Sequence, residues 1–325
     1  MKDSTEVTRS APTLDDVRAV LAEVCETTRV YSVAPGPRSY SNRLWLAETD
    51  EGRLLVRIPG RTDDAEVVRA SVVATRMAAE AGIPTVRFRA FAPRTLLGLP
   101  VVVQEFRPGG KASDALRRGE VELGELAATL GDWVGRLHRL RRTRFGAVTD
   151  PHGDETWAGT VRTRVGTALA GLGEQALPAS RAQIESAFDT ALADLVGAEP
   201  ASLVHGDLYL DNVLVDRGRA GALLDFEHAH FFDRFAEFGK LNELLFEWWP
   251  GSERPFMEAY SQHFPDASVD APRWRVGVGM YELWQLAYFQ RWQPDLVPVY
   301  RERLRRWLAG RCADGGGDNG DYRHV

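Results

Sequence analysis

Apolar and polar positions along this chain follow two rhythms, and the change from one to the other falls near residue 107. Upstream, "VYSV" (30–33), "NRLWLAET" (42–49) and "RLLVRI" (53–58) are short runs rich in β-branched, aromatic and aliphatic residues, the pattern of strands. Asp50-Glu51-Gly52, between the last two, has the composition of a hairpin turn. Further strands are expected near 86–91 and at "PVVVQEF" (100–106). A capped helix is expected over 14–25. Asp63, followed three residues later by Glu66, predicts a second helix that runs to Gly82, beyond which Pro84 forbids its continuation.

Arg107-Pro108-Gly109-Gly110 punctuates the chain, and the period then becomes helical. Between 120 and 140, Leu123, Leu126, Leu130, Trp133, Val134 and Leu137 recur at steps of three and four, which predicts a helix with one buried face. Helices are also expected near 158–172, 180–196, 233–248, 254–264 and 271–309. The exception is the segment from Leu203 to Asp216, where short apolar runs carry charged residues between them. The expected fold class is therefore α+β in two lobes. Residues 13–106 form the small antiparallel-sheet lobe and 107–311 the larger, mainly helical one, with ends at 1–12 and 312–325 too poor in apolar residues to order.

Composition narrows the partners. With 40 Lys+Arg against 46 Asp+Glu, the net charge is -6, which offers no basic field to nucleic acid or an anionic membrane. No stretch has the apolar core of a signal peptide or eighteen uninterrupted apolar residues, and Cys25 and Cys312 stand in no metal-type spacing. The expectation is a cytoplasmic protein, monomer or homodimer, that meets a small molecule. Of the six tryptophans after residue 247, most are expected in the core.

The chemistry concentrates in "LVHGDLYLDNVLVD" (203–216) and the run that follows it. Val213-Leu214-Val215 and Ala222-Leu223-Leu224, separated by "DRGRAG", predict an antiparallel hairpin. Asn212 enters its first strand and Asp225 leaves its second, so their oxygens lie across one strand spacing of about 4.8 Å. Two hard oxygens with few other protein ligands suit Mg²⁺ that also binds phosphate. Asp207, five residues before Asn212, stands where a carboxylate orients a hydroxyl attacking a phosphoryl group on that cation.

"HGDLYLDN" resembles the catalytic loop of protein kinases, in the H-G-D form used by aminoglycoside phosphotransferases and related small-molecule kinases, and "LLDFE" resembles their metal-binding aspartate. The resemblance covers roughly residues 14–310 and implies a bilobal protein-kinase-like fold. It implies that Asp207 is the catalytic aspartate, that Asn212 and Asp225 hold Mg²⁺, and that His205 is structural. By the same resemblance Ser41 and Asn42 of "SNRLW" belong to a nucleotide loop. Gln104, Glu105 and Phe106 of "VQEF" belong to a segment whose backbone hydrogen-bonds a purine. Arg57 of "VRIP" stands where protein kinases carry the phosphate-binding lysine, and Ser71 where relatives carry its glutamate partner.

The activity so implied is transfer of the γ-phosphate of ATP or GTP to a hydroxyl of a small molecule, foremost an antibiotic of aminoglycoside type. Open alternatives are another acceptor (a macrolide, peptide or nucleoside antibiotic, a sugar, an amino alcohol) or a non-catalytic nucleotide-binding pseudokinase. The acidic excess over 225–247 is compatible with a cationic acceptor, though a solvated helix face would look similar. Candidate acceptor contacts are Asp211, Glu227, Asp233, Glu237, Tyr281, Glu282 and Trp284. His228 and His230 make a weak zinc signal, and His138 reads as a packed core histidine.

Overall fold

The structure is a computed structural model that describes residues 12–26, 28–37, 42–60, 65–150, 152–153, 156–193, 195, 200–266 and 272–310. Apart from Pro12, the ends expected to be disordered lie outside these residues, as do Ser41 and Asp63. The chain divides into two compact units, Met1–Val72 with Val86–Pro108, and Val73–Thr85 with Gly109–Val325.

In the first unit Thr13 caps α1 (Leu14–Val24) through a reciprocal box: Asp16 N–H donates to the Thr13 hydroxyl, and Thr13 N–H to the Asp16 carboxylate at 2.7 Å. Five strands follow, β1 (Val30–Pro35), β2 (Asn42–Thr49), β3 (Gly52–Pro59) and, after helix α2 (Ala65–Glu80), β4 (Phe88–Ala92) and β5 (Val101–Glu105). They form one antiparallel sheet in the order β1-β2-β3-β5-β4. The two-residue period of β3 puts Leu54, Val56 and Ile58 on one face, where they pack with Val17, Val20 and Leu21 of α1. Leu55 and Arg57 take the other face.

The second unit continues with β6 (Gly110–Lys111), α3 (Ala112–Arg117), α4 (Leu123–His138), β7 (Arg141–Arg142), β8 (Gly146–Ala147), α5 (Trp157–Ala170) and α6 (Arg181–Ala193). Then come β9 (Ala201–Val204), β10 (Val213–Asp216), β11 (Arg219–Leu223), β12 (His230–Phe232), α7 (Ala236–Leu241), α8 (Glu253–Tyr260), α9 (Pro272–Trp292) and α10 (Val297–Leu308). The predicted stripe of α4 is buried at Leu126, Leu130, Trp133, Val134 and Leu137, each aliphatic side chain contributing about 2 kcal/mol.

Two expected helices differ in the structure. The stretch 271–309 breaks at Gln293-Pro294, because a proline ring cannot continue α9 and restricts the residue before it. The stretch 233–248 begins at Ala236 and widens after Leu241 into a π-helical turn, Asn242–Glu247. Two small sheets, β11-β10-β6 and β7-β9-β12-β8, contain two-residue strands that no periodicity could reveal. The helices pack closely where glycines allow it: a Cβ on Gly277 of α9 would come within 2.4 Å of the Phe235 carbonyl oxygen. That approach places α7 and its π-turn against α9. Trp274 and Trp307 are buried as expected. Trp248, Trp284 and Trp292 are exposed, so the late tryptophans are not one core set. Among the described residues no helix is long and apolar enough to cross a membrane.

Candidate active site

Strand β9 ends at Val204, and His205-Gly206-Asp207 turns the chain out of the sheet. Gly206 makes the turn with φ +76°, a conformation that disfavours a side chain, and a Cβ there would meet the His228 carbonyl oxygen at 2.4 Å. His205 is fully buried. Its Nδ1 accepts from Asp207 N–H at 3.2 Å and its Nε2–H donates to the Leu224 carbonyl at 2.7 Å, which sets the tautomer. One imidazole thus ties the backbone of Asp207 to the residue before Asp225. The structural role implied for His205 is this tie.

The Asn212 amide nitrogen donates to both the Asp207 carbonyl (2.8 Å) and Asp207 Oδ2 (3.1 Å). The other carboxylate oxygen, Oδ1, forms an ion pair with the Lys240 ammonium, which also lies 4.8 Å from the Tyr209 ring centroid. Sequence reasoning gave Lys240 no role at this site. Its only signal was scarcity, since Lys2, Lys111 and Lys240 are the chain's three lysines.

The predicted hairpin forms, with its register one residue off the expectation. Val213 faces Leu223, and Leu224 N–H donates to the Asn212 carbonyl at 2.8 Å, so Leu224 rather than Asp225 lies opposite Asn212. A bulge between Leu214 and Val215 shifts the pairing toward the turn. Asp225 follows immediately, with φ 61° and ψ 63°, a left-handed backbone held by the surrounding structure. Its carboxylate is exposed and has no hydrogen bond or ion pair among the described residues. Because the nitrogen of Asn212 is taken by Asp207, its amide oxygen is the atom left for a cation. A bare carboxylate and an amide oxygen at neighbouring positions fit the Mg²⁺ donor set expected for them. Among the described residues no group of three His, Cys, Asp or Glu side chains could hold a metal, which leaves His228 and His230 without a zinc site.

Glu237 and Asp233, expected as acceptor contacts, serve the scaffold. Both are buried. Glu237 on α7 accepts from His205 N–H at 2.5 Å and Gly206 N–H at 3.1 Å. Burial raises its pKa, but His138 and His205 outweigh that, so it is held below the ordinary carboxylate value. His138, packed as predicted, has its own pKa lowered by burial first and bonds the Tyr260 hydroxyl through Nδ1 at 2.9 Å. Asp233 accepts from Phe235 N–H at 2.9 Å and lies 3.6 Å from Arg273. Asp211 takes Lys111 at 2.7 Å and the Ser113 hydroxyl.

Glu282 and Tyr281 belong to a buried network behind the π-turn. Arg303 reaches both oxygens of Glu282 and also Glu247 at 2.9 Å, while Tyr281 and Tyr300 donate to Glu243 at 2.8 and 2.9 Å. Trp284 is exposed, and Glu227 lies half-buried in the turn after Asp225.

In the first unit, Asn42 opens β2 and Arg57 sits in mid-β3 between Leu44 and Val102. Gln104 of β5 is buried, with its side-chain oxygen unbonded among the described residues. The N–H groups of Glu105 and Phe106 donate to the carbonyls of Arg87 (2.8 Å) and Arg53 (3.0 Å), so these two donors are spent within the unit.

A sequence profile described as the phosphotransferase enzyme family (APH) matches residues 32–275. No similar sequence was found among curated proteins. Solved structures share the fold. A protein assigned as a fructosamine-3-kinase from Haemophilus somnus 129PT superposes with a TM-score of 0.69 at 16% identity, covering 90% of this chain and 96% of its own. A thermostable mutant of aminoglycoside phosphotransferase APH(4)-Ia, in a ternary complex with AMP-PNP and hygromycin B, gives 0.65 at 16% identity over 86% and 94%. The GDP complex of aminoglycoside 2'-phosphotransferase-IIIa gives 0.64 at 14% identity over 93% and 100%.

Proposed function

Since this chain belongs to the phosphotransferase enzyme family, we propose that it transfers the γ-phosphoryl group of ATP or GTP to a hydroxyl of a small acceptor, with Asp207 as the residue that orients the hydroxyl. The observation that carries the proposal is the joint fixing of Asp207, Asn212 and Asp225. Asn212 bonds the Asp207 carboxylate directly, and His205 links the Asp207 backbone to the residue preceding Asp225. Transfer of this kind depends on positioning and charge stabilisation more than on covalent chemistry, and positioning is what a loop supplies when the side chains of Asp207 and Asn212 are bonded to each other and the backbone before Asp225 is tied to it through His205.

In this reading Asp207 accepts a hydrogen bond from the acceptor hydroxyl, aims its oxygen at the γ-phosphorus, and takes the proton as the P–O bond forms and the bond to the nucleoside diphosphate breaks. Asn212 and Asp225 would hold Mg²⁺, which when bound offsets charge on the phosphate oxygens. Asn42 and Arg57, with Ser41 outside the described residues, remain the proposed contacts to the phosphates, and Gln104 to Phe106 those to the base, through backbone groups other than the bonded N–H donors of Glu105 and Phe106.

For the acceptor we propose an amine-bearing sugar. The related folds include an enzyme crystallised with hygromycin B and proteins assigned as fructosamine-3-kinases, so an aminoglycoside-type antibiotic and a sugar–amine adduct are the two readings. Internal pairing of Asp233, Glu237, Glu243 and Glu247 accounts for much of the acidic excess that is compatible with a cationic acceptor. Incubating the protein with Mg²⁺ and each nucleotide, and with aminoglycosides and fructosamines in parallel, should show one added phosphate by mass spectrometry in one class. The Asp207→Asn variant should lose transfer while still binding nucleotide. Turnover that survives this substitution defeats the assignment.

A further inference from the structure

We propose that Lys240 is a positioning residue for phosphoryl transfer, holding Asp207 by a compact point charge, an inference that rests on the reading of Asp207 given above. Lysine is scarce in this chain. Only three of the chain's 40 basic residues are lysines, and Lys2 lies outside the described residues. Both others are paired to aspartates of the same loop, Lys111 to Asp211 and Lys240 to Asp207. Every other ion pair among the described residues therefore uses arginine or histidine.

The local geometry explains the choice. Asn212 already occupies Asp207 Oδ2 at 3.1 Å. A guanidinium presents a planar fork that matches both oxygens of a carboxylate and would compete with Asn212, whereas an ammonium binds one oxygen as a point charge. The Lys240 ammonium takes Oδ1 and is seated over the Tyr209 ring. The pair is largely withdrawn from solvent, with side-chain exposures of 17% for Lys240 and 24% for Asp207, so salt screens it less than a surface pair.

The second support is the helix that carries it. Glu237 and Lys240 lie three residues apart on α7, hence on one face. Glu237 holds the backbone N–H groups of His205 and Gly206, and Lys240 holds the side chain of Asp207. A single helical turn thus grips the loop by its main chain and by its reactive carboxylate. Lys240 fixes the second rotamer-determining contact of Asp207, and without it the carboxylate swings about its bond to Asn212.

The test uses the full-length protein with Mg²⁺ and radiolabelled nucleotide, reading phosphate release to water in single turnover, so that no acceptor need be known. Lys240→Met should lower the rate by about a hundredfold, the scale of a small misplacement of a reacting group. Nucleotide affinity should stay within about threefold, and Lys240→Arg should recover all but about tenfold of the loss. Because Lys240 acts through Asp207, adding Lys240→Met to Asp207→Asn should cost less than about threefold more. Three results overturn the inference: Lys240→Met turning over as wild type, its loss multiplying in full on the Asp207→Asn background, or a loss accompanied by falling nucleotide affinity and melting temperature. If Asp207→Asn itself leaves the rate unchanged, the functional reading fails and the inference falls with it. Full dependence on Asp207 with none on Lys240 removes the inference alone.

Discussion

At the scale of single residues, the site is set by conformations and contacts that few side chains could supply. Gly206 turns the chain with φ +76° against the His228 carbonyl, while Asp225 adopts φ 61° despite having a side chain. The two differ in kind: the glycine is required by space, whereas the aspartate is held in a strained well that presents its carboxylate. Gly206→Ala should therefore lower stability by at least about 2 kcal/mol in urea denaturation and reduce turnover with it. A change below about 0.5 kcal/mol would mean that the loop relaxes without cost. His205 shows how a residue recognised by its motif can be spent on the scaffold, since both its ring nitrogens bond the backbone beside Asp207 and Asp225.

At the scale of elements, α7, its π-turn, α9 and α10 form the platform on which the loop from His205 to Asn212 rests. The π-turn places Glu247 beside Glu282 of α9 on the Arg303 guanidinium of α10, and Glu243 on the hydroxyls of Tyr281 and Tyr300. Burial pushes Glu282 up to about 7, against the lowering effect of Arg303 and with a further rise from Glu243 and Glu247. Burial and Glu243 likewise raise Tyr281 and Tyr300, which stay protonated as donors. Because the folded value of Glu282 lies above its ordinary 4.5, its contribution to stability is fully present below about pH 4.5 and is lost as pH rises through about 7. Melting temperatures between pH 5 and 8 should therefore fall more steeply with rising pH in the wild type than in Glu282→Gln, which keeps Arg303 paired to Glu247. Parallel curves would show that Glu282 is ionised throughout.

At the scale of the whole molecule, Mg²⁺-nucleotide binding should appear as stabilisation. At a hundredfold excess over its dissociation constant, nucleotide adds about 2.7 kcal/mol, and a chelator or Asp225→Asn should remove most of it. A thermal shift indifferent to chelator would place the nucleotide away from Asn212 and Asp225. Much of the fold is legible in the sequence. Two-residue alternation in β3, the three-and-four spacing of α4 and the hairpin after Asn212 are local patterns, and a face that must be buried writes them directly into the chain. The amino-acid sequence by itself also determined the loop in which a histidine, two aspartates and an asparagine occupy 205–212, because spacing within one turn survives any packing. Tertiary structure alone decided what lies far apart along the chain: that Lys240 reaches back to Asp207, that Glu237 caps the loop's N–H groups, and that the acidic excess is largely consumed by Arg303, two tyrosines and backbone. The physical reason is that a charge carries no record in sequence of its distant partner. Whether Glu237 faces an acceptor or a backbone amide depends on how α7 packs, and glycines as remote as Gly277 settle that.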